Sequence, residues 1–475
     1  MATSSSTSII NTLGAGSGID VNNLAKSLVE AEKIPKKERL DAKITQTEAK
    51  ITGYGVIKFA LSELKNALGK LNDASDFSAI VPANTQTTAF AVTTTNTATT
   101  GNFSIEVAQT ALAQRSVSDS FAASTTSLNA GAAFKLNLSV GGVSKGTINV
   151  ATATPAGMVS AINQAKLGVT AQLINTGSGF NVVVTGETGV TNNFSLTSDD
   201  GTATGTNPKV PVPGVSFVTN LQSATNARFR VNGLEVTRSS NTVSDVIDGV
   251  TLELFANTTG AARLDLNRDT TSIKSNISGL VAAYNDIEDS LKILGDRSSK
   301  VEEFGGALAG ESLVRSVRDQ VREMLTKTSS TAGTTIRSAS DVGLSLDRYG
   351  KLKLDTSKLD AALKNNFNEV STMFSAGTNN QSIHSTEAAG LAGDAINRIE
   401  KMLLSSAAIN TQSQTAASQI TQYKTKLTEL ESRMDKLLNR YIKQFSVMES
   451  IVGSSNSMRE SLKSTFEGMM KAYTN

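Results

Sequence analysis

Apolar residues recur in alternating steps of three and four along the stretch from Ile420 to Val452, near the end of the chain. This spacing places them in one narrow stripe of a helix, and charged residues flank the stripe as they do in a coiled coil. After Tyr441 a step of four replaces a step of three, which indicates a stutter in the supercoil. The pattern predicts a long terminal helix that buries its stripe against another helix. The candidate stripe residues are Leu427, Leu430, Met434, Leu437, Tyr441, Phe445 and Met448.

The first part of the chain offers a partner for this helix. Asp20 is a good N-cap, and the apolar residues after it predict a helix that ends near Lys33, because Pro35 interrupts it. A second helix with coiled-coil spacing is predicted from Leu40 to about Asn72. Both ends of the chain thus carry long helices, and the residues between them must begin and end beside this pair.

A third heptad pattern runs from Ile273 to Leu294. It is the natural partner for the stretch from Ile57 to Leu71, because one leads into the middle of the chain and the other leaves it. The candidate residues of this second pair are Leu61, Leu64, Leu68, Ile277, Leu280, Tyr284, Ile287 and Leu291.

Between these helices the apolar period changes to two, which is typical of half-buried strands. Asn232-Gly233 separates two alternating runs and is a strong hairpin signal. Residues 186–214 are rich in Gly, Thr, Asn and Pro and are predicted to form a loop or a joint between domains. The fold class is therefore α+β: a discontinuous helical coiled-coil stalk from both termini, with inserted β-rich head domains.

Four domains follow from these boundaries, since a chain of 475 residues is too long for one core. Residues 1–42 with 405–475 form a terminal helical domain, and residues 43–75 with 270–404 form the helical stalk. Residues 76–112 with 222–269 form an inner β head, and residues 113–221 form an outer β head inserted into it.

Composition excludes several functional classes. The net charge is +2 and only 19% of residues are charged, so neither nucleic acid nor an anionic membrane is indicated as a partner. The chain has no cysteine and one histidine, His384, which lies in a polar stretch typical of a solvated loop. Thiolate chemistry and most histidine-based schemes are thereby excluded. We expect no catalytic residues, no metal site, no cofactor and no enzymatic activity.

Two acidic clusters have simpler interpretations than catalysis. Asp199-Asp200 lies in a Gly/Thr-rich loop and could hold a cation weakly. Asp286, Glu288 and Asp289 fall on the polar side of the third heptad pattern, where solvated charge is expected.

The first eighteen residues lack the basic and apolar regions of a secretory signal peptide, and no run is long enough to cross a bilayer. We therefore expect no membrane insertion. Residues 1–18 and about 455–475 have little apolar surface and are expected to lack stable structure in the free protein.

The informative motifs at the two ends of the chain are Gly16 to Asp20, Gly101 to Val107, Asn241 to Leu252, Gly343 to Asp355, and Gln444-Phe445 with Met448-Glu449. Together they resemble the flagellar hook-associated protein 2 family of filament cap proteins. The resemblance covers about 11–110 and 227–465, and the middle of the chain is the variable part.

The resemblance implies a cap at the distal tip of the bacterial flagellar filament, outside the cell. It implies a homo-oligomeric ring of five copies that retains exported flagellin and promotes its folding and polymerisation. The implied partners are flagellin, the hook–filament junction protein and a cytoplasmic export chaperone. Export through the flagellar type III apparatus without a cleaved signal peptide fits the missing leader.

Two alternatives stay open at this point. A surface adhesin would bind host glycan or mucin through the Thr-rich head. A cell-wall hydrolase carried on the filament is disfavoured by the single histidine and by the lack of a nominated acid pair.

Overall fold

The computed structural model describes residues 20–202, 209–379 and 385–473. These residues form two compact units. The helical unit combines the described residues up to Ala74 with those from Lys274 onward, and the β unit comprises Ser75–Ile273. The helices are α1 Val21–Leu68, α2 Pro155–Ala165, α3 Thr270–Gly295, α4 Ser312–Thr326, α5 Thr356–Asn365, α6 Phe367–Ser375, α7 Gly390–Leu403 and α8 Ala408–Tyr473.

The strands up to the middle of the β unit are β1 Ile80–Asn84, β2 Phe90–Thr94, β3 Gly101–Gln109, β4 Ala113–Val117, β5 Phe134–Val140, β6 Val143–Val150, β7 Thr170–Asn175, β8 Phe180–Thr188 and β9 Phe194–Asp199. The remaining strands are β10 Thr219–Gln222, β11 Ala227–Val231, β12 Leu234–Arg238, β13 Thr242–Ile247, β14 Val250–Leu254, β15 Ala262–Arg268, β16 Leu344–Leu346 and β17 Leu352–Leu354.

The first long helix, α1, begins where the sequence predicts and does not stop at Pro35. The Asp20 side chain accepts hydrogen bonds from the backbone N–H groups of Asn22 and Asn23, at 3.1 and 3.0 Å. The helix continues through Pro35 and is 48 residues long in total. The predicted break at Pro35 is wrong. A proline costs about 3 kcal/mol in a helix interior, but packing on both sides of Pro35 offsets that loss. Val29 before it and Thr47 after it are both buried.

The last helix, α8, is longer than the stretch from Ile420 to Val452 that carries the clearest pattern. It covers 66 residues, Ala408–Tyr473. The expectation that residues from about 455 onward lack structure is therefore wrong for 455–473. This segment contains no proline, and most of its residues tolerate a helix well. All residues from Ser454 to Lys471 are nevertheless exposed. The matching expectation for residues 1–18 lies outside the described residues.

The β unit contains four antiparallel sheets with two cores. A five-stranded sheet in the order β1-β15-β3-β11-β12 and a three-stranded sheet β13-β14-β2 surround one core. A four-stranded sheet β10-β4-β8-β7, a three-stranded sheet β6-β5-β9 and helix α2 surround the other. The predicted Asn232-Gly233 hairpin joins β11 to β12, and the positive φ values of both residues, 50° and 82°, fit a tight turn.

Helix α2 begins at strong start signals. The Thr154 side chain accepts a hydrogen bond from the Gly157 N–H at 3.1 Å, and Pro155 occupies the first turn. Gly157 is required for packing, since a Cβ there would lie 2.1 Å from the Thr152 carbonyl oxygen.

Residues 186–214 are not a continuous loop. They include the end of β8 and all of β9, which pairs with β5 from Phe194 to Asp199. Phe194 and Leu196 point into the core, so the alternation was present. The Gly, Thr and Asn residues around it obscured the signal.

A pH-dependent contact closes the loop between α4 and β16. The Glu369 carboxylate accepts hydrogen bonds from the backbone N–H groups of Ile336 and Thr335, both at 2.8 Å, and from the Thr334 hydroxyl at 2.9 Å. The hydrogen bonds from these N–H groups hold the pKa of Glu369 below its usual range, and the bond from Ile336 has the largest effect. Folding thus favours the ionised form.

Glu369→Gln is expected to lower the melting temperature at pH 7. A carboxylate with a lowered folded pKa contributes stability above its unfolded pKa, and this contribution is lost as the pH falls through the folded pKa. The difference between wild type and variant should therefore shrink below about pH 4. Thermal unfolding followed by circular dichroism at pH 7 and pH 3.5 measures this, with exposed Glu429→Gln as the control. A difference of equal size at both pH values would contradict the assignment.

Candidate functional site

The described residues offer helix–helix contacts, rather than a reaction centre, as the candidate functional site. The first contact joins the N-terminal half of α1 to α8. Val29 lies in a small core with Leu430 and Met434. Further along α1, the Lys43 ammonium lies 5.7 Å from the centre of the Tyr423 ring, and Lys58 Nζ lies 3.3 Å from Asn410 Oδ1. Contacts move backward along α8 as they move forward along α1, so the two helices are antiparallel.

Charged residues flank this contact on its solvent side. Lys36 pairs with Glu32 and Lys37 pairs with Asp41, each at 2.6 Å and one helical turn apart. The hydrogen bond and charge of Lys36 lower the pKa of Glu32, and Arg440 and Arg433 of α8 act in the same direction. Exposed pairs of this kind contribute little stability. Both pairs join residues of the same helix, so they do not determine how α1 and α8 are oriented.

The candidate stripe residues of α8 differ in burial. Leu430 and Met434 are buried, and Met448 is 44% exposed. Glu449 is buried instead of Met448, at 6% exposure. A straight α-helix drifts about 20° per heptad from a 3.5-residue repeat. Over the two heptads after Met434, this drift shifts the buried position by almost half a residue, from Met448 toward Glu449. The half-buried stripe residues are Leu427, Leu437, Tyr441 and Phe445.

The second contact joins the C-terminal half of α1 to α3. Gly53 faces Leu294, since a Cβ on Gly53 would lie 2.9 Å from a Leu294 methyl group. At the opposite end, the Asn276 amide donates to the Lys70 carbonyl at 3.3 Å, so these helices are also antiparallel. The structure places every candidate of this pair in the interior, at 1% exposure or less: Leu61, Leu64, Leu68, Ile277, Leu280, Tyr284, Ile287 and Leu291.

An ionic cluster beside this contact escaped the sequence analysis. Glu288 was expected to be solvated, but its side chain is only 7% exposed. Its carboxylate accepts hydrogen bonds from Arg318 Nε at 3.0 Å and Arg322 Nε at 2.8 Å. Both arginines lie on α4, one turn apart. The sequence pattern of α3 alone could not predict these ion pairs, because the relevant Arg-x-x-x-Arg spacing lies on a different helix, α4.

Tyr284 lies one turn before Glu288 and is fully buried. Burial, followed by the negative charge of Glu288, raises the pKa of its hydroxyl to about 12. The nearby Arg322 guanidinium acts in the opposite direction on this pKa, but the hydroxyl forms no hydrogen bond of good distance and angle with any described residue. Tyr284 therefore acts as a packing residue in this site.

The acidic residues considered as a possible cation site or as solvated charge form local hydrogen bonds and an ion pair. Asp199 accepts a hydrogen bond from the Gly201 N–H, and Asp200 accepts two from Thr202. The Thr202 hydrogen bonds lower the pKa of Asp200. Asp289 is 55% exposed and pairs with Lys351. Over the described ranges, no group of three His, Cys, Asp or Glu residues could hold a metal ion. His384 lies outside those ranges.

No helix among the described residues is both long enough and apolar enough to cross a membrane. The helix–helix contacts hold the first and last described helices together in one helical unit.

Two models of known protein families match the chain. Residues 224–457 match the family model for the flagellar hook-associated protein 2 C-terminus, and residues 17–114 match the model for its N-terminus. The chain belongs to the flagellar hook-associated protein 2 family. Both matches include buried residues of the α1–α3 contact and strands of the β unit. The region between them, 115–223, matches neither model.

Curated relatives extend along nearly the whole chain. The A-type flagellar hook-associated protein 2 of Pseudomonas aeruginosa is 28% identical, over 93% of this chain and 94% of the relative. Flagellar hook-associated protein 2 of Escherichia coli K12 is 29% identical, over 96% and 98%. These relatives are structural flagellar proteins and not enzymes, which is consistent with the expectation of no enzymatic activity.

A solved structure supports the α+β fold class. The crystal structure of the D1-D2-D3 domains of the flagellar cap protein FliD from Escherichia coli is 28% identical, covers 77% of this chain and 99% of its own, and gives a TM-score of 0.60. The names of the relatives assign this family to the bacterial flagellum, and the solved member is a flagellar cap protein.

Proposed function

We propose that this protein caps the distal end of the flagellar filament as a closed homo-oligomeric ring. In this function the ring retains exported flagellin and promotes its folding and addition to the filament. The observation that carries the proposal is the family match at both ends of the chain, which includes the residues that join those ends in the helical unit.

The finer partner assignments belong to the same proposal. They are a ring of five copies, a hook–filament junction protein as neighbour before filament growth, and a cytoplasmic chaperone that accompanies the chain to the type III apparatus. The proposed division into two helical and two β domains also belongs here. The two separate cores of the β unit support its last part.

The β unit is the proposed location of the ring contacts. A closed ring requires a surface that meets a different surface on the next copy. The apolar residues of the α1–α3 contact are already buried within one chain, so they are not available for contacts between copies. The β unit has exposed strands that are available, such as β10, in which Thr219, Asn220 and Leu221 are exposed.

Deletion and complementation test the proposed function in the bacterium that carries the gene. Without the protein, flagellin should appear as monomers in the medium and filaments should be absent. Plasmid-borne full-length protein should restore filaments and reduce the free flagellin. Electron microscopy of filament tips and immunoblots of the medium provide the measurements. If filaments grow normally in the deletion strain and only attachment to mucin is lost, the adhesin alternative replaces the cap.

A further inference from the structure

An open groove of about 630 Å³ lies between strand β6 and helix α2 in the β unit. Thr147 and Asn149, which are exposed, line it together with Ile148, which is buried in the core. Consecutive residues from both faces of one strand can share a groove only along the edge of that strand. The groove therefore follows the edge of the sheet.

This edge is unpaired. β6 is the outer strand of the β6-β5-β9 sheet. Within the described residues, the backbone of Val143–Val150 is hydrogen-bonded only to β5. An unpaired edge presents a row of N–H and C=O groups that another strand can use.

Proteins usually protect such edges with charges, prolines, bulges or short strands. The first half of β6 has Lys145 and a register shift opposite Leu138 and Ser139. The second half, Thr147–Val150, has no charge, no proline and no register shift. This unprotected half is the part that lines the groove.

Four other edge strands of the β unit, β7, β12, β1 and β10, are protected. The Asn163 side chain bonds to both backbone groups of Ala171 on β7, at 2.8 and 2.9 Å. β12 carries Glu235 and Arg238, and β1 contains Pro82. β10 has only four residues and is bulged. The unprotected half of β6 is thus not typical of this unit.

The facing wall suits an extended chain. Helix α2 contributes Ala156, Gly157, Ser160 and Ala161, whose small side chains leave room beside the strand. No charged residue lines the groove, so a charged occupant would lose hydration without gaining a partner. A strand edge beside a helix, with a groove between them, is a geometry in which peptides bind by strand addition.

We propose that this groove binds an uncharged, extended segment of another polypeptide, which adds to the sheet as a fourth strand beside β6. The segment would gain main-chain hydrogen bonds from Thr147–Val150 and would place alternate side chains against α2. The inference goes beyond the proposed function, because it requires neither a ring nor a filament.

Peptide binding to the full-length protein tests it. The probe is a fluorescent, capped hexapeptide of alternating threonine and valine, and a second peptide has lysine in place of each threonine. Fluorescence anisotropy should show saturable binding of the first and at least tenfold weaker binding of the second. Hydrogen exchange should slow at backbone amides of Thr147–Val150 when the first peptide is bound.

Two groove variants and one matched control locate the site. Ser160→Lys with Gln164→Lys places charges on the helix wall, and Asn149→Lys places one on the strand; all three residues are exposed. Each variant should weaken binding at least tenfold. Ser144→Lys adds the same charge to the same strand outside the groove and should leave binding unchanged.

Three results would overturn the proposal. They are an absence of peptide binding at millimolar concentration, equal binding by the groove variants and the wild type, and displacement of the peptide by the neutral glycan maltohexaose. The last would make the groove a carbohydrate site. Failure of these experiments leaves the deletion phenotype, and hence the proposed function, unaffected.

Discussion

Met434→Asp is expected to separate the N-terminal half of α1 from α8 and to abolish filament growth. Met434 is 2% exposed in a small core with Val29 and Leu430. An aspartate there would bury a carboxylate without a partner, which costs several kcal/mol. This core has few other buried residues to compensate, so local separation should be preferred over unfolding of the whole helical unit.

Hydrogen exchange of the purified variant measures the separation. Protection should fall in residues 21–45 and 425–445 and should be retained in α3 and in the β unit. Ser432→Asp is the matched control, because it adds the same charge at an exposed position on the same helix. Wild-type protection in the Met434→Asp variant, together with normal filaments, would show that this contact is not needed for assembly.

Where one stripe on one helix decides the structure, the sequence predicts it well. The step pattern of Ile277, Leu280 and Tyr284 indicates a buried face, and all three residues are fully buried in the structure. Capping signals are local in the same way: the Thr154 cap and Pro155 define the start of α2, and this signal lies within four residues.

Predictions failed where a distant partner decides the outcome. Pro35 is a local break signal, yet packing along α1 outweighs it. Strand β9 was missed because its apolar alternation is short and its partner, β5, lies more than fifty residues earlier. The groove beside β6 could not be predicted, because it depends on how α2 returns over the edge of the sheet.

The buried charge at Glu288 leads to the second large effect. Glu288→Ala is expected to destabilise the helical unit by about 2–3 kcal/mol, because removing one partner leaves two charges uncompensated; the cost is below the roughly 3–5 kcal/mol of a fully buried pair, since the two arginines are 28% and 37% exposed. Here two guanidinium groups, of Arg318 and Arg322, would lose the carboxylate that both now contact. Asp289→Ala removes a charge from the next residue, which is 55% exposed. That control should cost less than about 1 kcal/mol.

A triple variant separates the charge effect from loss of packing. Replacing Glu288, Arg318 and Arg322 together by methionine removes all three charges and keeps most of the side-chain volume. Buried ion clusters replaced in this way often lose no stability, so the triple variant should recover most of what Glu288→Ala loses. Urea unfolding followed by circular dichroism gives the three free energies of unfolding. If the triple variant is as unstable as Glu288→Ala, the cluster stabilises the fold through its specific hydrogen bonds, and the interpretation by uncompensated charge is wrong.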